Sequence, residues 1–127
     1  MRTLRASKLV VVIDDDPLVL DATRGLLRSW GCKVVAAESY SEAIAKLAAI
    51  GQRPDLIVCD YRLPEGPTGV DAIEMLRGAF AIPALLISGD PASPASDDPA
   101  GGYRLLHKPV SAATFRALLV DASVLQA

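Results

Sequence analysis

Asp14, Asp15, Asp60, Ser88 and Lys108 are the residues whose types and placement could do chemistry together. Each stands at the end of a short apolar run. Asp14-Asp15-Asp16 follows KLVVVI, Asp60 follows LIVC, Ser88 follows IPALLI and Lys108 follows YRLLH. Carboxylates gathered at one place repel each other and raise each other's pKa. A hard divalent cation relieves that repulsion, and carboxylate, carbonyl and water oxygens suit Mg2+, which usually binds phosphates as well. Lys108 would supply a positive charge and Ser88 a hydroxyl donor, a cradle for phosphoryl oxygens. Asp60 is then a candidate nucleophile, because a carboxylate can form an aspartyl phosphate.

The elements that must position these residues can be read in order. Lys8 to Ile13 is a β-branched run and reads as a buried strand. Asp16-Pro17 has the form of a helix start, with Asp as the cap and Pro in the first turn. Leu18, Val19, Ala22, Leu26, Leu27 and Trp30 form the stripe of that helix, and Gly31 stops it. Lys33 to Ala37 is a second, weaker strand. Ser39-x-x-Glu42 resembles a capping box and opens a helix with Tyr40, Ala43, Ile44, Leu47 and Ala48 on one face, ended by Gly51. Asp55 to Cys59 is the third strand, and Pro64, Gly66, Pro67 and Gly69 mark the loop after it. Val70, Ile73, Leu76 and Phe80 mark a third helix, and Ile82 to Ser88 a fourth strand. The stretch from Gly89 to Gly102 carries Pro91, Pro94 and Pro99 and reads as loop with at best a short fourth helix. Tyr103 to His107 is the fifth strand, and Ser111 caps a last helix bearing Phe115, Leu118 and Leu119.

Strictly alternating strands and helices imply an α/β fold, a doubly wound five-stranded parallel sheet with helices on both faces and the fourth helix short or missing. In such a sheet all carboxyl ends lie on one edge. Asp14, Asp15, Asp60, Ser88 and Lys108 are therefore expected in one crevice despite their distance in sequence.

Composition narrows the classes. The 127 residues suit a single domain spanning residues 1–127, with a core over about 8–121. Net charge is -2, too near neutral for a nucleic-acid footprint or a basic membrane patch, so neither partner is expected directly. Cys32 and Cys59 lack metal-type spacing, and Cys59 sits within an apolar run as a buried, inert thiol. The apolar run after the polar start, Leu9 to Ile13, is too short for a signal-peptide core or a bilayer span, and a cytoplasmic location is the expectation.

VVVIDDDP, VCDYRLP, LLISGD and LLHKPV together resemble the response-regulator receiver domain of two-component signalling, in that family's order and near its spacings. The resemblance covers about Lys8 to Leu119 and implies a flavodoxin-like strand order 2-1-3-4-5. It implies that Asp14 and Asp15 hold Mg2+, with Asp15 the direct ligand, and that Asp60 is both phosphoacceptor and ligand. The Arg62 backbone carbonyl would be the third protein ligand, Ser88 the switch hydroxyl and Lys108 the family's lysine. The phosphodonor implied is a histidine kinase or a histidine phosphotransfer domain. LLHKPV is similar to receivers attached to hybrid histidine kinases, which suggests a module cut from such a protein. Two departures stand out: Leu105 occupies a position often aromatic, and prolines erode the fourth helix. Both lie on the surface many members use to dimerise, so the expectation is a monomer.

Plainer readings exist for several residues. Asp16 reads as a helix cap, since Pro17 follows it, and Asp14 could act through a water. His107 lies on a predicted strand and reads as structural, unlike a relay histidine on an exposed helix. Asp97-Asp98 read as loop acids, Trp30 as core or helix-end packing, and Arg62 and Asp90 either as solvent-exposed charges or as groups that tune the attacking water. Three functions compete. The first is a phosphoacceptor that catalyses only its own phosphorylation and dephosphorylation. The second is a Mg2+-dependent aspartyl-nucleophile phosphatase, opposed by Arg62 where such enzymes need a second acid. The third is a protein-binding pseudo-receiver that has lost the switch.

Overall fold

Strands that are apolar on both faces need a helical layer on each side, and this chain supplies both. The computed structural model describes residues 8–60, 82–88, 97–98, 103–107, 110–122 and 124–125. Its elements run β1 (Leu9–Ile13), α1 (Pro17–Ser29), β2 (Lys33–Ala37), α2 (Tyr40–Ile50), β3 (Leu56–Asp60), β4 (Ala84–Ser88), β5 (Asp97–Asp98), β6 (Tyr103–His107) and α3 (Ala112–Asp121). The strands form one sheet in the order β2-β1-β3-β4-β6-β5. From β2 to β6 every pairing is parallel, and β5 joins β6 antiparallel.

Side chains alternate across the sheet and divide the core in two. Leu9, Val11 and Ile13 of β1 and Ile57 and Cys59 of β3 pack with Ala43 and Leu47 of α2. Val10 and Val12 of β1 and Leu56 and Val58 of β3 pack with Leu20 and Leu27 of α1 and Phe115, Leu118 and Leu119 of α3. Each fully buried aliphatic side chain contributes roughly 1.5–3 kcal/mol.

The helix ends follow their local chemistry. The Asp16 carboxylate accepts from the Leu18 N–H at 2.9 Å, and Pro17 needs no partner at the first position. The Ser39 Oγ accepts from the Glu42 N–H at 3.1 Å, and Glu42 Oε1 reaches back to the Glu38 N–H at 2.7 Å. Gly51 closes α2 at φ 70°, a left-handed conformation that costs a glycine nothing sterically. Ser111 caps α3 by accepting from the Thr114 N–H at 3.1 Å. At the far end of α1, Trp30 meets Phe115 of α3 with ring centroids 5.9 Å apart, and the Arg116 guanidinium lies 5.6 Å from the Trp30 ring. Trp30 is thus helix-end packing that joins α1 to α3.

Several expectations change. Asp97-Asp98, read as loop acids, form β5 as a sixth strand, with Asp97 opposite Arg104 and Asp98 opposite Tyr103. Asp is depleted in strands and a two-residue run carries no periodicity, so only the partner strand could reveal it. An edge strand of two residues also offers little length for pairing with another chain. Leu18, placed on the buried stripe of α1, is 80% exposed, and Leu20 is buried instead. The third strand ends one residue later than expected, at Asp60. The loop after Asp60, the expected third helix and the fourth-helix region apart from residues 97–98 lie outside the described residues.

Candidate functional site

Parity and register bring the acids together. Asp14 continues the face of Val10 and Val12, and Asp60 continues that of Leu56 and Val58, so both fall on the α1 side of the sheet. Ile13 pairs with Cys59 across β1 and β3, which sets Asp14 beside Asp60. One carboxylate oxygen from each of Asp14, Asp15 and Asp60 lies within 4.8 Å of the others. Asp14 is buried, Asp60 half-buried and Asp15 exposed, so the cluster opens to solvent on the side of Asp15.

The Asp14 backbone is held by its N–H, which donates to the Ala37 carbonyl at 3.1 Å, at the end of the β1–β2 ladder. Its Oδ1 accepts from the Asp16 N–H at 2.9 Å. Asp16 caps α1, as the sequence indicated, and its carboxylate is not among the three that converge. Three clustered carboxylates form an all-oxygen donor set, which fits Mg2+ better than a softer metal.

A cleft of about 370 Å³ runs from this cluster beneath α1. Val12, Val58 and Ile87 line it from the sheet, Val19 and Leu26 from α1 and Phe115 from α3. Thr23 adds a hydroxyl-bearing side chain to the same lining. No motif singled out Thr23, but its i+4 spacing from Val19 puts it on the same face.

Ser88 is the last residue of β4, where it pairs with His107 of β6. Its neighbour Ile87 pairs with Asp60, so the backbone of Ser88 reaches the same sheet edge as the acids. His107 occupies a strand, as expected. Lys108 and Arg62 lie outside the described residues. No helix among the described residues is long and apolar enough to cross a membrane.

Cys59 reports on the acids from the opposite side of the sheet. Its Sγ lies 3.4 Å from the Asp60 carbonyl oxygen, which can accept from the thiol. Burial pushes the Cys59 thiol pKa well above the ordinary value, and the negative charges of Asp60 and then Asp14 push it the same way. Burial also raises the Cys32 thiol. Both thiols are therefore expected to resist a thiol reagent such as Ellman's at pH 8 until urea unfolds the chain; prompt labelling of the native protein would contradict this. The thiols also link stability to pH. A raised folded-state pKa leaves their contribution intact below the unfolded thiol value near 8.5, and stability falls as pH rises above it. The expected slope from Cys59 alone is about 1.4 kcal/mol per pH unit, and Cys59→Ala should remove it from urea unfolding curves.

Residues 10–120 match the family described as the response regulator receiver domain, and the chain belongs to that family. It is similar to the phyllosphere-induced regulator PhyR of Methylorubrum extorquens, 29% identical over 118 residues, covering 92% of this chain and 44% of that protein. It is also similar to the probable transcriptional regulatory protein TcrX of Mycobacterium tuberculosis, 36% identical over 108 residues, covering 80% of this chain and 44% of that one. The receiver domain of Erythrobacter litoralis PhyR, a solution structure, superposes with a TM-score of 0.74 at 27% identity, covering 92% of this chain and 90% of the other. The chain thus spans less than half the length of these curated relatives. Both are regulators, and the expected origin in a hybrid histidine kinase draws no support from them.

Proposed function

We propose that this receiver accepts a phosphoryl group on Asp60 from a phosphohistidine of a histidine kinase or histidine phosphotransfer domain. The observation that carries the reading is the convergence of the Asp14, Asp15 and Asp60 carboxylates within 4.8 Å at the carboxyl ends of β1 and β3. Asp14 and Asp15, Asp60 itself and the Arg62 carbonyl would hold Mg2+. When bound, Mg2+ neutralises charge on the acids and on the phosphoryl oxygens.

An Asp60 carboxylate oxygen attacks phosphorus in line, the P–N bond breaks, and the imidazole nitrogen keeps the electron pair and takes a proton from solvent. Ser88 and Lys108 would contact the phosphoryl oxygens as charge moves onto them. In the separate dephosphorylation step, water attacks phosphorus and gives up a proton to solvent, the P–O bond to Asp60 breaks, and inorganic phosphate leaves with the carboxylate restored. Asp60 is half-buried on a strand, which limits its motion while leaving the incoming phosphorus a path.

Incubation with Mg2+ and acetyl phosphate, followed by intact mass measurement, tests this reading. The expected result is one added phosphoryl group, lost in alkali and absent when EDTA replaces Mg2+. No adduct, together with no binding of beryllofluoride, would leave the pseudo-receiver reading in its place.

A further inference from the structure

Asp16 joins the acid cluster to α1 through two hydrogen bonds in series. Its N–H donates to Asp14 Oδ1 at 2.9 Å, and its own Oδ1 accepts from the Leu18 N–H at 2.9 Å. Between them residue 16 is extended, at φ -92° and ψ 111°, a conformation that the following Pro17 favours. The side-chain bond ties residue 16 to the first turn of α1, and that orientation aims its N–H at Asp14. Asp14 is only 6% exposed, so water has little access to replace the bond. A donor on Oδ1 restrains the Asp14 carboxylate, and with it the placement of its oxygens relative to Asp15 and Asp60.

We propose that Asp16 is a positioning residue for the divalent-cation site, acting through its cap on α1 to hold Asp14 in ligating orientation. The inference rests on the metal-binding reading above and assigns Asp16 a task beyond starting a helix. Its carboxylate stays outside the cluster. Its proposed effect therefore lies in the cap acceptor rather than in direct ligation, and its charge is tested separately.

Two substitutions separate these terms. Asp16→Asn removes the charge and keeps an oxygen that can cap; Asp16→Ala removes both. Mg2+ binding to the whole chain is measured by isothermal titration at a temperature where circular dichroism shows every variant folded. The expected result is wild-type affinity for Asp16→Asn and affinity weaker by on the order of tenfold for Asp16→Ala, as for other groups that orient a metal ligand. If Asp16→Ala folds poorly, Asp16→Gly takes its place, since glycine lacks the acceptor yet is tolerated at caps. Wild-type affinity in Asp16→Ala, even with a lowered melting temperature, would confine Asp16 to helix capping and overturn the proposal. Equal weakening in Asp16→Asn and Asp16→Ala would overturn it in favour of simple charge. Failure of the wild-type chain to bind Mg2+ would sink the site reading itself and the proposal with it, an outcome distinct from the other two.

Discussion

The Asp60→Asn variant is expected to acquire no phosphoryl mass from acetyl phosphate and Mg2+ under conditions that label the wild-type chain. The amide is neutral and a poor nucleophile, and the other nearby acids face the cation as ligands in the proposed arrangement. The same substitution removes one of the three clustered carboxylates. A ligand that binds only the folded state at 100 times its Kd stabilises it by about 2.7 kcal/mol. Wild-type protein should show an increment of that size in urea unfolding when Mg2+ is raised to this level, and Asp60→Asn should lose most of it. An adduct on the variant would move the nucleophile to Asp14 or Asp15. An unchanged Mg2+ increment would strike Asp60 from the ligands.

The second large effect concerns α1, the element that carries the Asp16 cap and roofs the cleft. Leu27 is fully buried against the sheet, and its carbonyl accepts from the N–H groups of Trp30 and Cys32, both at 3.1 Å. Leu27→Ala should cost about 2–5 kcal/mol, through lost transfer energy and the cavity left behind. A domain of this kind has roughly 5–15 kcal/mol in all. Leu18→Ala, on the same helix, should change stability by no more than about 0.5 kcal/mol, because Leu18 is 80% exposed. Urea midpoints at constant slope measure both; equal losses would show that Leu18 is buried in solution.

That contrast shows where sequence reading stopped short. Leu18 and Leu27 are nine residues apart, about two and a half turns, so they stand on opposite sides of a helix. Apolar type alone puts both on one stripe, whereas the helical angle separates them. Leu20, seven residues before Leu27, shares its face and is buried. The same limit applies to β5, where Asp97 and Asp98 have no strand propensity of their own and take up pairing only beside Arg104 and Tyr103.

Much else was legible because the governing forces are local. Asp16-Pro17, Ser39-x-x-Glu42 and Ser111 start helices by bonds made within a few residues, and Gly51 ends one by a conformation open to glycine. Alternation of strand and helix was enough for a parallel sheet, and a parallel sheet was enough to send Asp14, Asp60 and Ser88 to one edge.

What the linear chain could not decide was which side of that edge each acid would take. A run such as LVVVI is apolar on both faces, so its letters carry no record of which neighbour lies above and which below. Only the pairing of Ile13 with Cys59 sets Asp14 beside Asp60, and only their shared parity turns both toward α1. The residue types and their order came from the sequence alone. The meeting of three carboxylates within 4.8 Å came from strand register, a property of two strands together that neither contains by itself.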